Sequence, residues 1–117
     1  MSLATDPAFI TAWANDFEYE TIFSRQVEAY GEAGAVLIAI STSGNSPNVV
    51  RALEQARAMS MVTVSLTGQG GGAMAAFTDH LFAVPSGETA LVQQVHLCLY
   101  HFLCDAIERR CCDLSKG

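Results

Sequence analysis

Ala35-Val36-Leu37-Ile38-Ala39-Ile40 runs directly into Ser41-Thr42-Ser43-Gly44-Asn45-Ser46-Pro47. The first six residues are a continuous apolar run, as expected for a strand buried on both faces. The next seven supply the hydroxyls of Ser41, Thr42, Ser43 and Ser46, one glycine and a proline, and a helical pattern follows from Asn48 to Met59. A strand, a hydroxyl-rich turn and a helix start make a cradle for an anion. Hydroxyls, backbone N–H groups and the positive end of the helix dipole converge there. The ligand this implies is a phosphorylated small molecule.

Outward from this stretch, strands and helices alternate. The helix after the turn carries Val49, Val50, Leu53 and Ala56 inward and Arg51, Glu54, Gln55 and Arg57 outward. Met61 to Leu66, rich in Val and Thr, predicts a second buried strand. Gly68-Gln69-Gly70-Gly71-Gly72 reads as a flexible loop and Ala73 to Phe77 as a short helix. Leu81-Phe82-Ala83-Val84 is a third strand, stopped by Pro85-Ser86-Gly87, and Glu88 or Thr89 opens a last helix reaching to about Cys112. Upstream, Pro7 to Trp13 reads as a short helix capped by Asp6. Tyr19, Ile22, Phe23, Val27 and Tyr30 predict an amphipathic helix over 17–30, ended by Gly31-Glu32-Ala33-Gly34. This order implies βαβ crossovers and an α/β fold, a parallel sheet with helices on both faces, in one domain over residues 1–117.

Half of the 117 residues are hydrophobic, so a packed core is expected rather than disorder. The net charge of −6 argues against nucleic acid, which asks for a basic stripe. It does not argue against one phosphate held by hydroxyls and N–H groups. No apolar run nears the roughly 20 residues of a membrane span and no signal peptide is visible, so no membrane association is expected. Cys98, Cys104, Cys111 and Cys112 all fall in the last predicted helix, where their spacing is unsuited to bridging. Reduced thiols and a cytoplasmic location are the expectation.

Ser46 stands where a helix N-cap belongs and Pro47 at the first helical position. Capping alone needs one hydroxyl, and this turn has more, which favours anion binding. The missing Gly-Lys-Ser/Thr ending argues against a nucleotide P-loop. The plain reading of His80, His96 and His101 is a packed or surface histidine, and of Asn15-Asp16 a turn or cap pair.

Ile40 to Ser46, Leu66 to Gly72, Asn15-Asp16, and Gln93-Gln94-Val95-His96 with His101 together resemble phosphoheptose isomerase, a family of sugar isomerase (SIS) domain proteins. The serine turn alone matches any SIS domain; the last-helix Gln and His make the narrower match. The resemblance implies a Rossmann-like or flavodoxin-like three-layer sandwich. It also implies interconversion of sedoheptulose 7-phosphate and glycero-manno-heptose 7-phosphate, a step towards lipopolysaccharide heptose. Ser41, Thr42, Ser43 and Ser46 would hold the phosphate, Asn15 and Asp16 would line the sugar site, and Gln93 would contact substrate and a zinc ion. His101 would be a zinc ligand or the acid/base, a task for which imidazole is tuned. A homo-oligomer, a tetramer in the family, would be expected.

Gln93 and His101 are eight residues apart, about 12 Å along a helix and about 80° around it. That spacing predicts a site shared between subunits. By the same resemblance the chain starts near the middle of the family's length, without the family's N-terminal His and Glu. Leu91, Gln94 and Ala35 stand where the family has Arg, Glu and Asp. The alternatives from other classes are a non-catalytic SIS protein that binds a partner and a sugar-phosphate sensor. The presence of His101 favours the isomerase lineage.

Overall fold

The computed structural model describes residues 1–115. Three parallel strands, β1 (Val36–Ser41), β2 (Val62–Thr67) and β3 (His80–Ala83), lie side by side in that order. Val36 pairs with Val62 and Ser41 with Thr67, while Val64 pairs with His80 and Thr67 with Ala83. This register brings Ser41, Thr67 and Ala83 into one row at the carboxyl end of the sheet, the edge where open α/β sheets bind ligands.

The helices are α1 (Pro7–Asp16), α2 (Ile22–Tyr30), α3 (Pro47–Ala58) and α4 (Thr89–Ser115). Asp6 caps α1 by accepting from the Phe9 N–H at 3.1 Å, with Pro7 at the first position, as read from the sequence. The helix expected over 17–30 is shorter than that. Phe17 instead closes α1, donating its N–H to the Trp13 carbonyl at 2.8 Å and stacking on the Trp13 ring at 4.1 Å. A 3-10 turn at Tyr19–Thr21 follows before α2 begins, and the rings of Tyr19 and Tyr30 are left exposed. A second 3-10 segment, Gly72–Phe77, occupies the short helix expected after the glycine loop.

Helices α2 and α3 cover one face of the sheet. Val27, Ala52 and Ala56 form one buried cluster with Phe23, Leu37 and Met61, and Ala39, Leu53 and Met74 form a second with Val50 and Phe77. Leu53 is wholly buried, which stabilises the fold by about 1.5–3 kcal/mol. On the opposite face Val36, Ile38 and Ile40 remain about half exposed, alternating with the covered Leu37, Ala39 and Ser41. The reading of β1 as buried on both faces is therefore corrected. Six consecutive apolar residues cannot reveal whether a layer covers each face, and among the described residues α4 packs extensively on no other element.

At the amino end of the sheet a polar network closes the loop into β3. Asp79 Oδ2 accepts from the Thr63 N–H at 2.8 Å and the Thr63 hydroxyl at 3.0 Å. The Asp79 N–H donates to Thr63 Oγ1 at 3.0 Å, and the Phe77 carbonyl, at 2.9 Å, shares the one hydroxyl proton with Asp79 Oδ2. The Thr63 bonds, backbone first, hold the Asp79 carboxyl below its ordinary value, helped by Arg57 at 3.8 Å. Cys98, Cys104 and Cys111 are free thiols, exposed on α4 as Cys112 is. Among the described residues no helix is long and apolar enough to cross a membrane.

Candidate functional site

The serine turn is shaped from below. Gly44 has a positive φ of 67° and its carbonyl accepts from the Met74 N–H at 3.0 Å. A Cβ on Gly44 would overlap the Gly71 carbonyl, and one on Gly72 would lie 2.6 Å from the Gly44 carbonyl oxygen. Side chains at either position would push the two loops apart. Asn45 ties them further, accepting from the Ala73 N–H at 2.8 Å and donating to the Ser43 carbonyl at 3.0 Å. The Gly68 N–H reaches the Thr42 carbonyl at 2.9 Å. The glycine loop read as flexible is thus a fixed floor for the serine turn. Gly68 and Gly72 serve close backbone approach, which composition alone does not distinguish from mobility.

Above that floor the hydroxyls converge. Ser41 Oγ lies 2.8 Å from Ser46 Oγ and 3.4 Å from Ser43 Oγ, and Ser43 Oγ accepts from the Asn45 N–H at 3.1 Å. Ser46 occupies the N-cap position of α3, yet its side chain makes no capping bond. The cap expected of it is replaced by the contact with Ser41, so its hydroxyl belongs to the turn. A hydroxyl has one donor and two acceptor sites, so hydroxyls bonded mainly to one another keep capacity for a ligand. The start of α3 adds its positive dipole end beside them.

A cleft of about 420 Å³ opens on this cluster, lined by Ile40, Ser41, Thr42, Ser46, Gln93, His96 and Tyr100. Of the residues expected at the site, Ser41, Thr42, Ser46 and Gln93 are brought together there, and Ser43 joins through its contact with Ser41. Asn15, Asp16 and His101 are not among the lining residues. Asn15 Nδ2 donates to Asp16 Oδ1 at 2.9 Å on the exposed end of α1. His101 is exposed on α4, its ring edge-on to Tyr100 at 5.3 Å.

The residues missed from sequence are His96 and Tyr100. They stand three and seven positions after Gln93, the spacing that shares one helical face, so the signal was present in the helix period. His96 is 3% exposed, and its Nε2 lies 3.0 Å from the Thr67 carbonyl oxygen.

A larger depression of about 880 Å³ lies elsewhere, lined by Trp13, Phe17, Thr21, Arg25 and Glu28 among others. Its one cation, Arg25, is already paired with Glu28 at 2.8 Å and sits 5.6 Å over the Trp13 ring. It has no comparable cluster of hydroxyls at a strand end, so the smaller cleft is the better anion site despite its size.

Comparison with known proteins agrees with this geometry. Residues 1–68 match the SIS domain family. The chain is 53% identical over 104 residues to the phosphoheptose isomerase of Nitratidesulfovibrio vulgaris, covering 89% of this chain and 50% of that protein. It is 50% identical over 109 residues to that of Helicobacter pylori, covering 93% of this chain and 57% of that protein. The chain spans about half the length of the curated relatives it matches. The solved phosphoheptose isomerase of Neisseria gonorrhoeae superposes with a TM-score of 0.90 at 44% identity, over 92% of this chain and 60% of that one. That of Francisella tularensis also gives 0.90, at 38% identity, over 93% and 59%. The chain belongs to the SIS domain family and is homologous, over most of its own length, to phosphoheptose isomerases.

Proposed function

We propose that this chain carries the phosphate-binding part of a sugar-phosphate isomerase acting between sedoheptulose 7-phosphate and glycero-manno-heptose 7-phosphate, towards lipopolysaccharide heptose in the cytoplasm. The observation that carries this reading is Ser46, a hydroxyl at a helix start that does not cap its helix but joins Ser41 beside the cleft. The phosphoheptose isomerase relatives support the choice of substrate class.

The aldose–ketose reaction moves a proton between adjacent carbons at one end of the sugar. The phosphate is at the other end. Ser41, Thr42, Ser43 and Ser46 would therefore act by remote binding, holding the substrate while acid and base groups work. Gln93, on the opposite wall, would meet the sugar hydroxyls. His101 is proposed as acid/base. With Asn15 and Asp16 it is exposed and outside the cleft, which fits groups that face a neighbouring copy in a homo-oligomer.

Zinc is proposed on the same footing. Among the described residues no three His, Cys, Asp or Glu side chains converge as a metal site. A catalytic zinc takes about three protein ligands, so this chain alone does not fit the ion. Gln93 and His101 would be its share of a site completed elsewhere, and no step is derived through the metal.

Calorimetry and turnover with sedoheptulose 7-phosphate test the proposal. Wild-type chain is expected to bind, and Ser41→Ala to weaken binding about tenfold, the loss of roughly one charge-assisted hydrogen bond. No binding by the wild type overturns the reading. Binding without turnover, with and without zinc, would overturn the isomerase part and leave a sensor.

A further inference from the structure

We infer that His96 is a positioning residue of the cleft: its bond to the Thr67 carbonyl fixes the face of α4 bearing Gln93 and Tyr100 against the serine turn. The inference rests on the sugar-phosphate reading above and deepens it.

Helix α4 is 27 residues long and packs extensively on no other element among those described. Among its described residues Val92 and His96 are the buried ones, at 1% and 3% exposure. Its placement therefore depends on one turn. Val92 contributes shape, lying where a Cβ on Gly68 would come within 3.4 Å of its Cγ2. His96 contributes direction. A carbonyl oxygen can only accept, so Nε2 carries the proton and donates.

The acceptor is unusually well anchored. Thr67 is the last residue of β2 and is fully buried. Its carbonyl also accepts from the Val84 N–H at 3.0 Å, so both lone pairs are used. The next residue, Gly68, donates its N–H to the Thr42 carbonyl of the serine turn at 2.9 Å. A short path of buried bonds thus links His96, Thr67, Gly68 and Thr42. Gln93 and Tyr100 stand about one turn either side of His96 on the same face of α4, and both line the cleft. The bond sets how far and at what rotation that face stands from Ser41 and Ser46. His96 is itself a lining residue, but a buried one whose donor is already engaged.

The consequence is selective. Inorganic phosphate needs the serine turn alone. A sugar phosphate spans from the turn to the α4 wall, so it senses the distance between them. The test is titration of the 117-residue chain with inorganic phosphate and with sedoheptulose 7-phosphate, for wild type, His96→Leu and His96→Gln. Gln is the conservative variant because its Nε2 amide can donate as the imidazole does. His96→Leu is expected to weaken the sugar phosphate about tenfold, from one buried hydrogen bond. Inorganic phosphate should change less than about twofold, and His96→Gln should recover most of the sugar-phosphate loss. If His96→Leu does not fold, His96→Asn against His96→Gln decides, since Asn is too short to reach Thr67. Equal loss for both ligands, or no loss for either, overturns the inference and makes His96 a packing residue. A wild type that binds inorganic phosphate but no sugar phosphate fails at an earlier step, and overturns the proposed function as well.

Discussion

The two ends of the sheet both carry clustered hydroxyls, and they do opposite things. At the amino end the Thr63 hydroxyl sits between a carboxylate and a carbonyl, Asp79 and Phe77, and also accepts the Asp79 N–H. Its one proton and one of its acceptor sites are engaged inside the protein, and Thr63 is fully buried. At the carboxyl end the Ser41 hydroxyl meets the hydroxyls of Ser46 and Ser43, and a cleft opens beside them. The lesson is about partners rather than residue type. A hydroxyl saturated by carboxylate and backbone holds the fold. A hydroxyl bonded to other hydroxyls at a helix start is available to a ligand.

The largest expected effect is at the saturated end. Thr63→Val removes the hydroxyl that the Phe77 carbonyl and Asp79 Oδ2 accept from, at about 2 kcal/mol, while the Asp79 N–H keeps the Thr63 carbonyl at 3.1 Å. Chemical denaturation should show a lowered midpoint, while the folded fraction keeps its phosphate affinity. An affinity loss matching the stability loss would break the comparison. Ser46→Ala should do the reverse. It removes no cap, so stability should change by less than about 0.5 kcal/mol, against the ~1 kcal/mol usual for a capping serine. Phosphate affinity should fall about tenfold, the value of roughly 1.4 kcal/mol. A large stability loss without an affinity loss would return Ser46 to a structural role.

The smallest effect is in acid. Asp79 has a depressed carboxyl in the folded state against an ordinary value of 3.8. Its contribution to stability is then present above that ordinary value and is lost as pH falls through the depressed one. Thermal midpoints measured downward from pH 5 should fall more steeply for wild type than for Asp79→Asn. Identical slopes would mean the amino-end network adds nothing that depends on charge.

Much of this was legible beforehand. Strand, turn and helix around residues 35–59 follow from an apolar run, a Ser-Pro start and a 3.6-residue period, all local signals. The cradle of Ser41, Thr42 and Ser46 followed from its position between them, and Gln93 from the resemblance. The helix start at Phe17 was misplaced because that ring belongs to the Trp13 stack, a contact that spacing along the chain does not show. Gly68 and Gly72 were misread because a glycine needed for contact and a glycine needed for mobility look the same in one dimension.

The sequence by itself determined the alternation of strands and helices and the hydroxyls of the turn, because each is a property of neighbours along the chain. Only the tertiary structure decided that Ser46 turns to Ser41 rather than to its own helix, and that Gly44 and Gly72 touch. It also decided that His96 and Tyr100, rather than His101, face the serines. Those outcomes depend on the rotation of a helix and the approach of two loops separated by more than twenty residues, and a difference of one residue around α4 is about 100°.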